Sequence, residues 1–230
     1  MAAARAAPSL AAMTISYPER PGFVRASGLY CLTGAAIAVA GTIWLSAAPS
    51  SVSPDRVSYP VTPAVFRFTE VLWTLTHALV LVGVIGLARS GWAGPSRTGR
   101  IGMWLAMAGM ALLVPAELGY VFAANAAEGS AIDNALGGVF GVAVPVAGIG
   151  LILTGVAVLR AGRWPGPGRY APLVCGVLAF ALIAVQVARP SIFLWGIAMW
   201  NLAFIWFGWS LRQAATQPQS AAAPQAAGVG

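Results

Sequence analysis

Residues 135–159 read ALGGVFGVAVPVAGIGLILTGVAVL, a run of 25 residues without a charged side chain. A helix that crosses a hydrocarbon core of about 30 Å needs about 20 mostly apolar residues, so this run is long enough to span a bilayer. It lacks the alternation of polar and apolar residues that strands of a membrane barrel show. Because lipid offers no partner for backbone N–H and C=O groups, the run predicts a membrane-spanning helix.

Five further apolar runs of similar length occupy the rest of the chain: 27–48, 68–88, 101–125, 170–188 and 191–211. With 135–159 they predict an all-α fold class, a polytopic transmembrane helical bundle of six helices that forms one domain over 27–211. The fifth and sixth runs are separated only by Arg189 and Pro190. Either a tight hairpin or one re-entrant pair fits such a short connection.

The two ends of the chain differ in composition from the apolar runs. Residues 1–26 are rich in Ala and Pro and predict a flexible N-terminal segment, and residues 212–230 are of low complexity and predict a disordered tail. The first apolar run is longer than the 7–15 residues of a signal-peptide core, so we expect the first helix to be retained.

The overall composition excludes several classes of protein. Only 8% of the 230 residues are charged and 59% are hydrophobic, whereas soluble domains carry about 25% charged residues. This excludes a soluble enzyme, a disordered chain and a secreted disulfide scaffold. The net charge of +7 comes from 13 Arg and no Lys, and these are scattered between apolar runs, so we expect the lipid bilayer and no nucleic acid as a partner. Basic residues that are all Arg, with heavy use of Ala, Gly and Val, are typical of a GC-rich bacterial genome.

Arginine is distributed unequally between the two sides of the predicted bundle. If the six runs alternate in direction, ten arginines fall on one side: Arg5, Arg20, Arg25, Arg89, Arg97, Arg100, Arg160, Arg163, Arg169 and Arg212. Three fall on the other side: Arg56, Arg67 and Arg189. Since cytoplasmic loops carry the excess of Lys and Arg, this bias predicts a multi-pass protein of the bacterial plasma (inner) membrane with both termini cytoplasmic.

A few polar side chains lie inside the predicted spans, where ionisable groups are costly and usually face the bundle interior. They are the candidate residues for a ligand site or a proton pathway: Glu70, Thr74 and His77 in the second helix, Glu117 in the third, Gln186 in the fifth and Asn201 in the sixth. At 100° per residue, the three positions of the second helix fall on one narrow stripe.

Helical rise places two of these residues at the same depth. At 1.5 Å per residue, His77 lies about 14 Å and Asn201 about 15 Å from the outer ends of their helices. Glu70, Glu117 and Gln186 fall in the outer third of their spans. The pattern predicts an outward-facing polar pocket, rimmed by Arg67 and Arg189, that narrows towards His77 and Asn201.

Most of these candidate residues also have a purely structural interpretation. Glu70 would reach the interface or pair with Arg67, and His77, Asn201 and Gln186 would form hydrogen bonds between helices that contribute only about 0.6 kcal/mol on average. Gly137 and Gly141 form a GxxxG motif that is typical of closely packed helices.

The sequence lacks the residues of several kinds of chemistry. A single His cannot provide both axial ligands of a haem, and Glu70 and His77 are about 10 Å apart along a helix, too far to share one metal ion. Phosphate-binding loops are absent. We therefore predict no catalytic residue, no metal and no cofactor.

Three functions remain open at this stage. The first is binding or transport of a small solute, a proton or a lipid-like ligand in an outward-facing pocket. The second is a non-catalytic accessory or assembly subunit, for which the proline-rich loop 49–67 would be a docking strip for a membrane-protein partner or a second copy of the chain. The third and least favoured is a membrane enzyme that uses His77 as an acid or base.

Overall fold

A computed structural model describes residues 21–189 and 192–216. Over these residues the chain is an all-α bundle of six helices, as the apolar runs predict. All six helices are long and apolar enough to cross a membrane, which makes the chain a multi-pass membrane protein. They are α1 (Pro21–Ala47), α2 (Pro63–Ser90), α3 (Arg97–Ala123), α4 (Ala131–Ala161), α5 (Ala171–Ala188) and α6 (Phe193–Thr216).

Most helices extend beyond the apolar runs that predict them. Residues 21–26, which we assigned to the flexible N-terminal segment, form the first turns of α1, and residues 212–216 of the assigned tail continue α6. The reason is that an apolar run marks only the part of a helix that lies in lipid, whereas the helix itself continues into the polar interface. Proline at the first helical position, as at Pro21, also favours a helix start.

Three stretches lie outside the described residues: 1–20 of the predicted N-terminal segment, 217–230 of the predicted tail, and 190–191 between α5 and α6. At the short connection between α5 and α6, both helices have spanning length. The choice between a tight hairpin and a re-entrant pair concerns a connection that includes residues outside the described ranges.

The helices form a closed ring. Each packs against its neighbours in sequence, and α6 also packs against α1, with additional contacts between α2 and α6. We call end A the end of the bundle with the connections 48–62, 124–130 and 189–192, and end B the end with the connections 91–96 and 162–170.

The ring is tight towards end B because glycines allow helix backbones to touch. A Cβ atom on Gly208 of α6 would lie 2.6 Å from the carbonyl oxygen of Gly28 in α1, and one on Gly150 of α4 would overlap the backbone nitrogen of Ala106 in α3. Nearer end A the inner face of α4 is less crowded, because a Cβ atom on Gly141 would meet no atom within 4 Å and one on Gly137 would meet only the Tyr120 hydroxyl, at 3.8 Å. The bundle therefore widens from end B to end A.

A column of five aromatic rings fills the narrow half. Its ring centroids follow one another at 4.5 Å (Trp92–Trp164), 6.3 Å (Trp164–Phe207), 6.2 Å (Phe207–Phe204) and 5.3 Å (Phe204–Trp200). All five side chains are buried. Tilted and edge-to-face contacts of this kind add about 0.5–1.5 kcal/mol per pair beyond the buried area. We call this set the aromatic column; it closes the interior of the ring towards end B.

At end A, the loop 48–62 folds onto the bundle. Arg56 and Ala127 form an antiparallel bridge between this loop and the connection 124–130, and the Arg56 guanidinium donates to the Asn125 carbonyl over 2.9 Å. Ser58 and Val61 are buried. The loop is thus anchored by hydrogen bonds that cannot be read from composition, and residues 63–67 of the predicted docking strip belong to α2.

We expect Gly150→Ala to lower the free energy of unfolding by about 1–3 kcal/mol, since the added methyl group meets the backbone of α3 and the core must shift. Gly138→Ala on the same helix is the matched control, and it should be neutral or slightly stabilising because alanine is the better helix former. Unfolding in mixed detergent micelles, followed by circular dichroism, measures both. Equal stability of the two variants would contradict the tight packing of α3 on α4.

Candidate functional site

A cavity of about 650 Å³ lies in the wide half of the bundle, between the aromatic column and the loop 48–62. All six helices contribute to its wall, and most of the wall is apolar or aromatic. Ligand sites in proteins typically combine an apolar wall with a few convergent polar groups in a volume of about 300–1,000 Å³. The polar groups here come mainly from α2 and α3.

His77 and Glu117 meet in this cavity. The Nδ1 atom of His77 lies 3.3 Å from Oε1 of Glu117 and 3.1 Å from the Trp73 carbonyl oxygen. A carbonyl oxygen only accepts hydrogen bonds, so this geometry favours a proton on Nδ1 and leaves Nε2 as an acceptor in the neutral ring. Glu117 is only 5% exposed. The pair joins α2 to α3 at the deep end of the cavity.

Glu70 completes a cluster of three ionisable groups. It lies on the same cavity wall as Glu117, and the two carboxyl groups are near enough to influence each other. A hydrogen bond between two carboxyl groups would need a proton on one of them, since carboxylates only accept. The Oε2 atom of Glu70 is buried and has no partner in the described part of the chain. The expected pairing of Glu70 with Arg67 does not occur, because the carboxyl group turns inward and Arg67 is exposed.

Gln186 and Asn201 line the same cavity from α5 and α6. The Asn201 side-chain amide donates to the Ile197 carbonyl oxygen of its own helix over 3.0 Å. One residue away, Trp200 belongs to the cavity wall and to the aromatic column, and its indole N–H donates to the Cys175 carbonyl oxygen over 3.0 Å. Trp200 therefore forms the floor of the cavity and ties α6 to α5.

Three of the sequence-based candidates lie outside the cavity. The Thr74 hydroxyl donates to the Glu70 carbonyl oxygen over 2.8 Å, a bond within its own helix. Arg67 and Arg189 are exposed and do not form the rim. The prediction placed Thr74 on the stripe from angular spacing alone, and angular spacing does not show which edge of a stripe faces inward. Arg56 is the arginine on the cavity wall.

The GxxxG glycines have a different role from the one that the motif suggests. Gly137 and Gly141 both border the cavity, and an added Cβ at Gly141 would meet open space. Close helix packing occurs elsewhere, at glycines such as Gly150. The missing side chains of Gly137 and Gly141 widen the cavity.

Sequence reasoning missed several side chains of the cavity wall, among them Trp73, Tyr120 and Asp133. Trp73 precedes His77 by four residues and Tyr120 follows Glu117 by three, so helical spacing from each candidate would have found them. Asp133 accepts hydrogen bonds from the Tyr120 hydroxyl (3.3 Å) and the Gly129 backbone N–H (2.8 Å). It lies at the start of α4, and its proximity to α3 could not be read from a single sequence.

Acidic side chains dominate the electrostatics of the cavity. Glu70, Glu117, Glu128 and Asp133 line it, against one arginine among the described residues. Asp55 lies outside the wall on the loop 48–62 and is fully exposed. A hydrogen bond from the Ser53 side chain lowers the pKa of Asp55, so this carboxyl group is ionised at neutral pH.

The lining chemistry favours binding or proton exchange over covalent catalysis. An imidazole and two carboxyl groups can pass a proton between them. Serine and cysteine are absent from the described wall, and its one threonine, Thr69, donates to the Val65 carbonyl oxygen. Cys31 and Cys175 are free and buried away from the wall. The residues that the structure describes contain no group of three or more His, Cys, Asp or Glu able to hold a metal ion.

No protein-family model matches the chain, and neither a curated protein nor a solved structure matches it. The function of the protein is therefore inferred from the geometry of the cavity alone.

We expect a double-mutant cycle of His77→Ala and Glu117→Gln to give a coupling energy of about 0.5–3 kcal/mol in the free energy of unfolding, because the two side chains contact each other. His77→Ala combined with Glu128→Gln is the control, since Glu128 is exposed at the opposite end of the cavity. That pair should be additive within about 0.5 kcal/mol. Additivity of the His77 and Glu117 variants would contradict the contact.

Proposed function

We propose that this protein binds or transports a small solute, with or without a proton, in a cavity that opens to the outside of a bacterial plasma membrane. The observation that carries the proposal is the convergence of His77 and Glu117, from different helices, at 3.3 Å on the wall of a 650 Å³ cavity. Ionisable groups inside a membrane are costly and mark solute or proton pathways. Here they are gathered around one volume large enough for a small molecule.

The cavity is closed on one side, which suits a binding protein or a transporter better than an open pore. Towards end B, the aromatic column fills the ring with apolar rings in close contact. A solute that enters from end A would stop at Trp200. Transport would therefore need a second arrangement of the helices, as in alternating access.

The proposed orientation places end A outside. Of the described arginines, eight lie towards end B and three towards end A, and the positive-inside rule assigns the arginine-rich side to the cytoplasm. Both chain termini would then be cytoplasmic.

The other two functions receive less support. The loop 48–62 is anchored to the connection 124–130, which leaves less free surface for an accessory role with a partner protein or a second copy. An enzyme would find an acid–base pair in His77 and Glu117, but the described wall offers no serine or cysteine nucleophile.

The binding proposal predicts that filling the cavity abolishes ligand stabilisation. Thermal unfolding in nanodiscs should be measured with four sets of small amphipathic solutes: cationic, anionic, zwitterionic and neutral. We expect at least one set to raise the Tm of the wild type, since a ligand that binds the folded state stabilises it by mass action. Gly141→Trp places an indole in the cavity and should remove the increase, whereas Gly138→Trp lies off the cavity wall and should retain it.

Two results would refute binding in this cavity: no solute raises the Tm of the wild type, or Gly141→Trp responds as the wild type does. Because neither glycine has an atom within 4 Å of its added Cβ, both variants should fold, and their unliganded Tm values verify this.

The orientation can be measured separately with single cysteines. Cys31 and Cys175 are 0% exposed, so they should not react with a membrane-impermeant maleimide. In intact bacterial cells we expect labelling of Ala127→Cys at end A and no labelling of Arg97→Cys at end B until the membrane is permeabilised. The opposite pattern would reverse the orientation.

A further inference from the structure

The acidic residues of the chain are concentrated at one place. The protein carries 13 arginines against six acidic residues, yet four of the six acids line the end A cavity and, among the described residues, only one arginine does. A strongly basic chain therefore has an acidic interior surface. Clefts lined by charge of one sign and bounded by low-dielectric walls concentrate ions of the opposite sign.

The deepest acids have no cation from the described part of the protein beside them. Among residues 21–189 and 192–216, Glu117 contacts His77, whose ring carries a charge only when both of its nitrogens are protonated, and no arginine reaches Glu70 or Glu117. Glu117 is 5% exposed, and within the same ranges the buried Oε2 atom of Glu70 has no hydrogen-bond partner. A buried carboxyl oxygen that is left without a partner costs free energy, and a ligand that brings a positive charge or an N–H donor to it would offset this cost.

Aromatic side chains surround these acids. Phe66 and Trp73 precede His77 on the same face of α2, Phe140 faces from α4, and Trp200 forms the floor. The faces of such rings attract cations by about 0.5–1 kcal/mol at exposed sites and by about 2 kcal/mol or more when desolvated. Aromatic walls around an anionic centre are the chemistry by which proteins recognise organic ammonium ions.

We propose that the cavity binds an organic cation, an ammonium group attached to an apolar body. The ammonium group would sit at Glu70 and Glu117, and the apolar body would lie against the aromatic wall. The buried indole N–H of Trp73, which has no partner among the described residues, would donate to a ligand oxygen or to a water molecule. This inference rests on the proposed function, because it names the class of solute for the same cavity.

The test compares three probes of similar shape and different charge, measured by calorimetry and thermal unfolding in nanodiscs of neutral lipid. Phenyltrimethylammonium is the cation, tert-butylbenzene is its uncharged isostere, and benzenesulfonate is the anion. We expect the cation to bind, with an affinity at least about tenfold above that of either other probe, since burying an anion beside two carboxyl groups is repulsive.

Substitutions of the two glutamates test whether cation binding needs their carboxyl groups. Glu70→Gln and Glu117→Gln should each weaken cation binding by about tenfold or more, because each removes a carboxyl group from a site of low dielectric. Asp55→Asn removes the same charge from a fully exposed loop position and should change the affinity by less than about twofold, as exposed charges are screened. If Glu117→Gln fails to fold, the affinity of Glu70→Gln for the cation still tests whether the site needs a carboxyl group.

Substitution of an aromatic residue tests the wall. Phe66→Leu should weaken binding of phenyltrimethylammonium by about threefold, in keeping with the loss of one cation–π contact. Phe68→Leu is the matched control, because Phe68 lies on the same helix, is 71% exposed and is not part of the wall.

The outcomes separate this inference from the proposed function. Preferential binding of the anion or of the neutral probe, lost in Gly141→Trp, would overturn the cation assignment and leave solute binding in this cavity intact. Binding of no probe at all, together with no stabilising solute in the four-set screen, would overturn both. Cation binding that survives Glu70→Gln and Glu117→Gln would also overturn the cation site.

Discussion

The close approach of helix backbones at glycine determines the shape of this protein. In lipid, helices gain little from burying apolar side chains against one another, and association depends on packing and on interhelical hydrogen bonds. Glycines bring the backbones of α1 and α6, and of α3 and α4, into direct contact in the middle of the bundle and towards end B. Towards end A, a Cβ atom on Gly141 of α4 would meet open space and one on Gly137 only the Tyr120 hydroxyl, at 3.8 Å. The taper of the ring, and therefore the cavity, follows from this distribution of one residue type.

The taper also separates polar from apolar chemistry along the bundle. Where the helices are close, large rings fill the remaining space, and where they diverge, side chains with charge can turn inward and meet. The cluster of Glu70, His77 and Glu117 needs this room, because carboxyl groups in contact with lipid would be unsolvated. The anchored loop 48–62 then covers part of the opening. Close helix packing towards end B thus leaves the space towards end A in which these ionisable side chains meet.

Much of the fold could be predicted from the sequence, because a bilayer imposes a length and a polarity on every span. The six helices follow from this constraint alone. Their ends could not be placed, since nothing in an apolar run states how far a helix continues into the interface, as residues 21–26 show. Among the candidate residues, five of the six polar side chains within the spans line the cavity, because few environments other than the interior accept them.

The rest of the site depends on how the helices are rotated and joined, which a single sequence does not specify. Thr74 lies at the wrong edge of its stripe, and Arg67 and Arg189 lie off the cavity wall. Asp133 and Tyr120 are brought together only by the packing of α3 on α4. The place of Gly137 and Gly141 on the cavity wall depends on the same factors, because a small residue can either admit a neighbouring helix or leave a void, and the surrounding helices decide which.

The aromatic column has a consequence for any membrane that stores energy as a gradient of protons. A wetted protein interior that reached from one side of such a membrane to the other would discharge the gradient. Among the described residues, the cavity with its carboxyl groups ends at Trp200, and the next rings are two phenyl groups and two indoles in close contact. A bundle of this shape would hold water and charge in one half of its thickness, while the packed rings would oppose a continuous file of water through the other half.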